Sequence, residues 1–290
     1  MKKFAILWVL LFLWIPFHGQ AAIGATQAGP PASTQAEPSG MDVQSVPQRM
    51  EPEAAFALMS AEAEKGNSGA MLTLGRFYEQ GIGIARNYTK AMEWYEKAAK
   101  TGQPEGYYNL GVCFEIGIGV TADASRAFIH YQKAADLGLA QAMYKLSSLC
   151  IAGIGTSKDV ARGMDYLKQA AEAGMSVAAN ELGVIYLSGL IGQKKDEKMA
   201  LTMFMRAADL GHLEAVKNIA IMHKDGLGIK ADPATAYTWY LIARRGGYAG
   251  EDLARLLGLL EGSLSEDQIQ KARQAADAWI ENYANKASSR

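Results

Sequence analysis

The sequence predicts an all-α fold, a solenoid of antiparallel helical hairpins, and three recurrences carry that prediction. Gly66, Gly102, Gly138, Gly174, Gly211 and Gly247 follow one another at steps of 36, 36, 36, 37 and 36 residues. Gly81, Gly117, Gly153, Gly189 and Gly226 keep the same period, and so do Leu74, Leu110, Leu146, Leu182 and Ile219. A fixed spacing between about 20 and 50 residues marks stacked supersecondary units, each of which buries its apolar face only against its neighbours. Every unit here holds two apolar segments of helical length separated by a glycine-bearing loop, so the unit is a helical hairpin.

Within a unit, the first helix is expected to stop at the Gly81 series and the second at the Gly102 series. Both series read as left-handed C-terminal caps, a conformation glycine adopts without steric penalty. Asn87, Asp123, Asp159, Asp196 and Asp232 recur just before the second segment, where a short oxygen acceptor takes the free amides of a first helical turn. Pro233 follows Asp232 at the first helical position, where a missing N–H costs nothing.

Ala70, Gly106, Ala142, Ala178 and Ala215 lie four residues before the leucine series and share its helical face. Gly75, Gly111, Ser147, Gly183 and Ala220 follow that leucine, and small residues there let helices approach closely. On the second helix, the bulky pairs Trp94–Tyr95, His130–Tyr131, Tyr166–Leu167, Met203–Phe204 and Trp239–Tyr240 precede small pairs such as Ala98–Ala99 and Ala134–Ala135. Large side chains then interdigitate with small ones, as a close-packed interior requires.

Five such units run from residue 67 to 248. Residues 51–66 read as a lone N-terminal capping helix over Pro52–Lys65, and residues 249–290 as C-terminal capping helices and tail. In that last region Glu251–Leu260 and Ser265–Tyr283 are helical segments, with Ser265 and Gln268 spaced as a capping box.

The segments Leu74–Gly83 (Leu-Gly-Arg-Phe-Tyr-Glu-Gln-Gly-Ile-Gly) and Lys90–Ala99 (Lys-Ala-Met-Glu-Trp-Tyr-Glu-Lys-Ala-Ala) resemble the Sel1-like repeat, a relative of the tetratricopeptide repeat. The resemblance covers about residues 67–248 in five copies and implies a right-handed α-solenoid whose first helices line a concave face. The third copy departs at Ser147 and Gly163, the fourth carries one extra residue between Gly189 and Gly192, and the fifth has Ala220 and His223 in place of glycine and tyrosine. These departures leave the fold intact and bear on loop geometry.

At the N-terminus, Lys2 and Lys3 precede an apolar run from Phe4 to Phe17, with Gly19, Ala21 and Ala22 after it. Residues 1–21 read as a secretory signal peptide, cleaved after Ala21 in preference to Ala22. The run is shorter than the roughly 18–20 residues that span a bilayer, so no stable membrane insertion is expected after cleavage. Residues 22–50, rich in Ala, Pro, Ser and Gly, read as a disordered linker. Removing the two lysines takes the formal charge from -1 to -3, without the basic excess that a nucleic-acid partner demands.

Three histidines remain after the leader, His130, His212 and His223, at no metal-ligand spacing. His130 and His223 fill packing positions, whereas His212 follows a cap glycine and reads as solvated. No motif singles out a nucleophile and its base, no cofactor or metal is implied, and the chain is expected not to be an enzyme. The Gly81-Ile82-Gly83 type of loop follows a helix and recurs with the repeat, so it reads as cap and turn rather than as a phosphate cradle. Cys113 and Cys150, the two cysteines, lie 37 residues apart on neighbouring first helices, one position out of register. A disulfide between them is possible, but two buried free thiols are favoured, because adjacent helix axes stand about 8–10 Å apart.

By the resemblance, Arg76, Glu79, Tyr108, Glu115, Tyr144, Asn180, Lys217 and Lys224 are the concave-face candidates for binding. The expected function is an exported protein-interaction scaffold of the bacterial cell envelope, periplasmic or secreted, with a protein or peptide partner. The rival reading is a protein that binds or hydrolyses cell-wall fragments or β-lactams, as the cysteine-rich Sel1-like relatives suggest. This chain lacks the paired cysteines within every repeat that mark that branch.

Overall fold

The computed structural model describes residues 51–248 and 250–288; the expected leader and linker lie outside the described residues. Helix α1 spans Pro52–Glu64. Five hairpins follow: α2 Ser68–Gln80 with α3 Tyr88–Lys100, α4 Pro104–Ile116 with α5 Ala124–Asp136, and α6 Ala140–Ala152 with α7 Val160–Glu172. The last two are α8 Ser176–Ser188 with α9 Glu197–Asp209, and α10 Leu213–Asp225 with α11 Pro233–Arg245. Helices α12 Glu251–Glu261 and α13 Glu266–Ser288 close the described chain. Helices α1 to α12 each pack on their chain neighbours in that run, and α13 folds back onto α11, so the repeats stack as an α-solenoid.

Side-chain chemistry at each helix end explains the boundaries. Asn87, Asp123, Asp159, Asp196 and Asp232 all stand in extended backbone and accept first-turn amides through their side-chain oxygens. Their own amides tie the hairpin shut: Asn87 N–H donates to the Tyr78 carbonyl at 2.8 Å, and Asp159 N–H to that of Cys150 at 2.8 Å. The two kinds of helix end differently. After α3, Gly102 N–H donates to the Ala99 carbonyl at 3.0 Å and Gln103 N–H to that of Ala98 at 3.3 Å, the reciprocal Schellman pattern. After α2, Gly81 and Ile82 both donate to the single Phe77 carbonyl, at 2.8 and 3.0 Å. At the C-terminal end, Ser265 and Gln268 form their capping box, at 2.9 and 3.3 Å.

The second glycine of each Gly-x-Gly loop has a separate reason. Gly119, Gly155 and Gly228 press against the start of the second helix of the preceding unit, and Gly83 against the start of α1, where a Cβ would collide with Tyr88, Ala124, Glu197 or Pro52 respectively. The extra residue of the fourth repeat breaks this contact: Gly192 faces open space, and Ile191 takes φ 55°, the only non-glycine residue with positive φ among the described ones.

Packing follows the large-into-small pattern. A Cβ at Gly111 would sit 2.7 Å from the ring of Tyr131, and the same clash relates Gly75 to Tyr95 and Gly183 to Phe204. Tyr131 and Phe204 are fully buried, and Tyr95 is 1% exposed. Second helices are amphipathic; α7 buries Gly163, Met164, Leu167, Ala170 and Ala171, spaced as one helical stripe. One expectation needs correction. His212 is not a solvated loop residue: it is the half-buried N-cap of α10, its Nδ1 accepting the Ala215 amide at 3.4 Å.

Candidate binding face

The first helices α2, α4, α6, α8 and α10 carry all eight candidates, and most of them are joined to one another or to their neighbours. In the first repeat, the buried Tyr95 of α3 donates its hydroxyl to Glu79 at 2.6 Å. In the second, Tyr131 of α5 does the same to Glu115, which also accepts from Lys145 of the next repeat at 3.3 Å. Tyr144 donates to Glu181 one repeat on, and Asn218 donates to Asn180 at 3.2 Å. Lys217 donates to Glu214 and to the Tyr248 hydroxyl, the latter at 3.0 Å, with its ammonium 5.1 Å from the Tyr248 ring centre. A series of polar contacts thus runs from the second repeat to Tyr248 at the end of the fifth.

The other three candidates stand apart. Tyr108 packs its ring 5.4 Å from that of Tyr131. Lys224 pairs with Asp225 beside it. Arg76 is half-buried, and its Nε has no partner within the protein. Sequence reasoning named residues on the first helices and missed their pairing. The available signal was positional: the residue two places before the core leucine in one repeat bonds the residue one place before it in the next, as Tyr144–Glu181 and Asn180–Asn218 do.

Burial sets the electrostatics of this ladder. Desolvation, then the hydrogen-bonded and charged Glu79, raises the Tyr95 hydroxyl far above the usual phenol range; Tyr131 follows through burial and Glu115. Tyr144 rises through burial and the Glu181 charge. Burial also lifts the Glu181 carboxyl above the ordinary carboxylate value, opposed by the Tyr144 hydrogen bond. Such hydroxyls are donors rather than bases.

Cys113 and Cys150 are both buried and free. Burial and the Glu79 charge push the Cys113 thiol up to about 12, which keeps it protonated and unreactive. His130 lies in a stacked arrangement with Phe114 at 5.2 Å, its Nδ1 buried without a partner, and burial with Lys133 and Arg126 nearby lowers its pKa. Among the described residues, no three or more His, Cys, Asp or Glu side chains gather as a metal site, and no helix is long and apolar enough to cross a membrane.

Known proteins share this architecture. A protective antigen present in uropathogenic Escherichia coli strains, displaying an SLR fold, superposes with a TM-score of 0.64 at 31% identity, over 80% of this chain and 49% of its own. A Sel1 repeat protein from Oxalobacter formigenes gives a TM-score of 0.59 at 33% identity, over 68% of this chain and 80% of its own. The ERAD-associated E3 ubiquitin-protein ligase component HRD3A of Arabidopsis thaliana is 42% identical over 50 residues, which are 17% of this chain and 7% of that protein. This chain therefore spans about half of the E. coli antigen and a small part of the plant component. The Sel1 repeat pattern itself matches residues 68–102, 104–139, 140–175, 176–212 and 213–248. With more than half of its length matched in five consecutive copies, the chain belongs to the Sel1 repeat family.

Proposed function

We propose that this chain is an exported scaffold of the bacterial cell envelope, periplasmic or secreted, that holds a protein or peptide along the face formed by its first helices. Sel1 repeats generally mediate protein–protein interaction. The observation that carries the reading here is the polar ladder. The recurring residues of each repeat are used for caps and packing, whereas the position two before the core leucine changes from Tyr108 and Tyr144 to Asn180 and Lys217, the position next to it changes from Lys145 to Asn218, and all six stay partly open to solvent. A strip of changing chemistry on a repeating frame is what a partner-specific surface requires. Rows of hydrogen-bonded side chains also arrive pre-ordered, which reduces the entropy lost on binding.

Export is supported by Lys2, Lys3 and the apolar run to Phe17. N-terminal sequencing of the protein recovered from periplasm or medium is expected to begin near Ala22; an intact Met1 on a membrane-bound product contradicts export.

Affinity capture from envelope extract tests the interaction itself. Wild-type chain is expected to retain a discrete partner. A variant with Asn180 and Lys145 both replaced by Ala is expected to lose it while remaining helical by circular dichroism. Retention of the partner by this variant, or hydrolysis of a β-lactam or cell-wall peptide by the purified chain, contradicts the scaffold reading.

A further inference from the structure

The fifth repeat breaks a rule that the other four obey. Tyr95 and Tyr131 each bury a hydroxyl, and each has a glutamate 16 residues earlier that accepts from it. The third and fourth repeats carry neither group: Leu167 and Phe204 stand at the bulky position, with Ile151 and Leu187 at the acceptor position. The fifth keeps the hydroxyl, in the fully buried Tyr240, but its acceptor position is Lys224. The Tyr240 hydroxyl accordingly has no hydrogen-bond partner within the protein. Buried hydroxyls are almost always satisfied, so an orphan of this kind points to something from outside the chain.

A recess of ≈ 400 Å³ lies at this place, between α10 and α12. Tyr240 and Lys217 line it together with the Tyr248 side chain, and Ile221, Leu253 and Leu256 supply apolar walls. The Lys217 side chain is 24% exposed and holds its charge next to Glu214 and Tyr248. Asp252 also lines the recess and is exposed, so the site does not collect anions at large. Favourable contact for a negative group is concentrated at Lys217 and Tyr240.

We propose that this recess binds a carboxylate carried by a peptide, which takes the place that Glu79 and Glu115 fill inside the first two repeats. The proposal deepens the scaffold reading and rests on it for the peptide nature of the partner. The carboxylate accepts from the Tyr240 hydroxyl and pairs with the Lys217 ammonium, and the neighbouring apolar residue of the peptide rests on Ile221, Leu253 and Leu256. Both a free C-terminus and a glutamate side chain offer this chemistry.

The test titrates the purified chain with three probes: acetyl-Ala-Leu-Leu with a free C-terminus, the same peptide as its amide, and acetyl-Ala-Leu-Glu amide. At least one carboxylate probe is expected to bind about tenfold or more tightly than the neutral amide, as a charge-assisted hydrogen bond implies. The better of the two carboxylate probes identifies the source of the group. Tyr240→Phe is expected to abolish the preference without lowering the melting temperature, because it removes an unsatisfied hydroxyl. Tyr131→Phe is expected to lower the melting temperature and leave the preference intact. Lys224→Glu rebuilds the acceptor of the first repeats, so it is expected to raise the melting temperature and block the probe.

Equal binding of all three probes overturns the proposal, as does a preference that survives both Tyr240→Phe and Lys224→Glu. Capture of the envelope partner unaffected by Tyr240→Phe overturns this inference and leaves the scaffold reading standing. Carboxylate binding with no captured partner does the reverse.

Discussion

Tyr131 lays its ring against Gly111 and donates its hydroxyl to Glu115, so one side chain joins the core to the proposed binding face. Removing the acceptor by Glu115→Ala leaves a buried hydroxyl unsatisfied and is expected to cost about 1–3 kcal/mol, read as a lower urea midpoint. Tyr131→Phe removes donor and desolvation cost together, and its expected cost is about 0.5–1.5 kcal/mol. The reverse order contradicts the assignment of that bond. Glu181 has a pH signature of its own. Its folded pKa is raised by burial, so its contribution is full below its unfolded pKa and is lost as pH rises through the folded value. Glu181→Gln keeps an acceptor for Tyr144 and is expected to melt higher than wild type at pH 7, with the difference shrinking toward pH 4. His130 has the opposite sign: its pKa is lowered by burial, so its contribution is present above pH 6.5 and is lost as pH falls through the folded value. His130→Tyr, which copies Tyr166 at the same register position, is expected to flatten the loss of melting temperature between pH 7 and pH 5.

Each helix is bounded by chemistry that lies within a few residues of its end, and this is why the elements were legible before the structure. Asp159 caps α7 through the Arg162 amide at 2.9 Å, and Asp159→Ala is expected to cost about 0.5–2 kcal/mol. Gly111→Ala drives a methyl group into the Tyr131 ring, and overpacking at such a site is expected to cost about 1–3 kcal/mol in chemical denaturation. Leu146→Ala, in the middle repeat, deletes a fully buried side chain and is expected to cost about 2–5 kcal/mol. The N-cap aspartates, the stop glycines and the glycine–aromatic pairs all declare themselves through residue type and spacing. The ladder did not, because its bonds join residues 30, 37 and 38 positions apart whose side chains are individually ordinary. His212 misled for a local reason: Asn67 caps α2 through its side chain at the position His212 holds before α10, and imidazole is an unusual replacement for that acceptor. The Tyr240 orphan was visible in the letters as Lys224 where Glu79 and Glu115 stand, but only the pairing of those glutamates with tyrosines gives the difference a meaning.

At the scale of the whole array, stability is passed from repeat to repeat, and the proposed function is carried on one side of it. The buried, free cysteines agree with this division of labour: denatured protein is expected to take up two equivalents of a thiol reagent without prior reduction, and native protein to react slowly. The second helices offer a built-in control surface, since Ile129 of α5 is 52% exposed and belongs to no part of the ladder. A photo-crosslinking residue placed in living cells at Tyr108, Tyr144, Asn180 or Ile129 measures directly where a partner sits. The account predicts one shared protein adduct from positions 108, 144 and 180 and none from position 129. An adduct that forms equally well from position 129, or only from it, would contradict the claim that the first-helix face is the recognition surface.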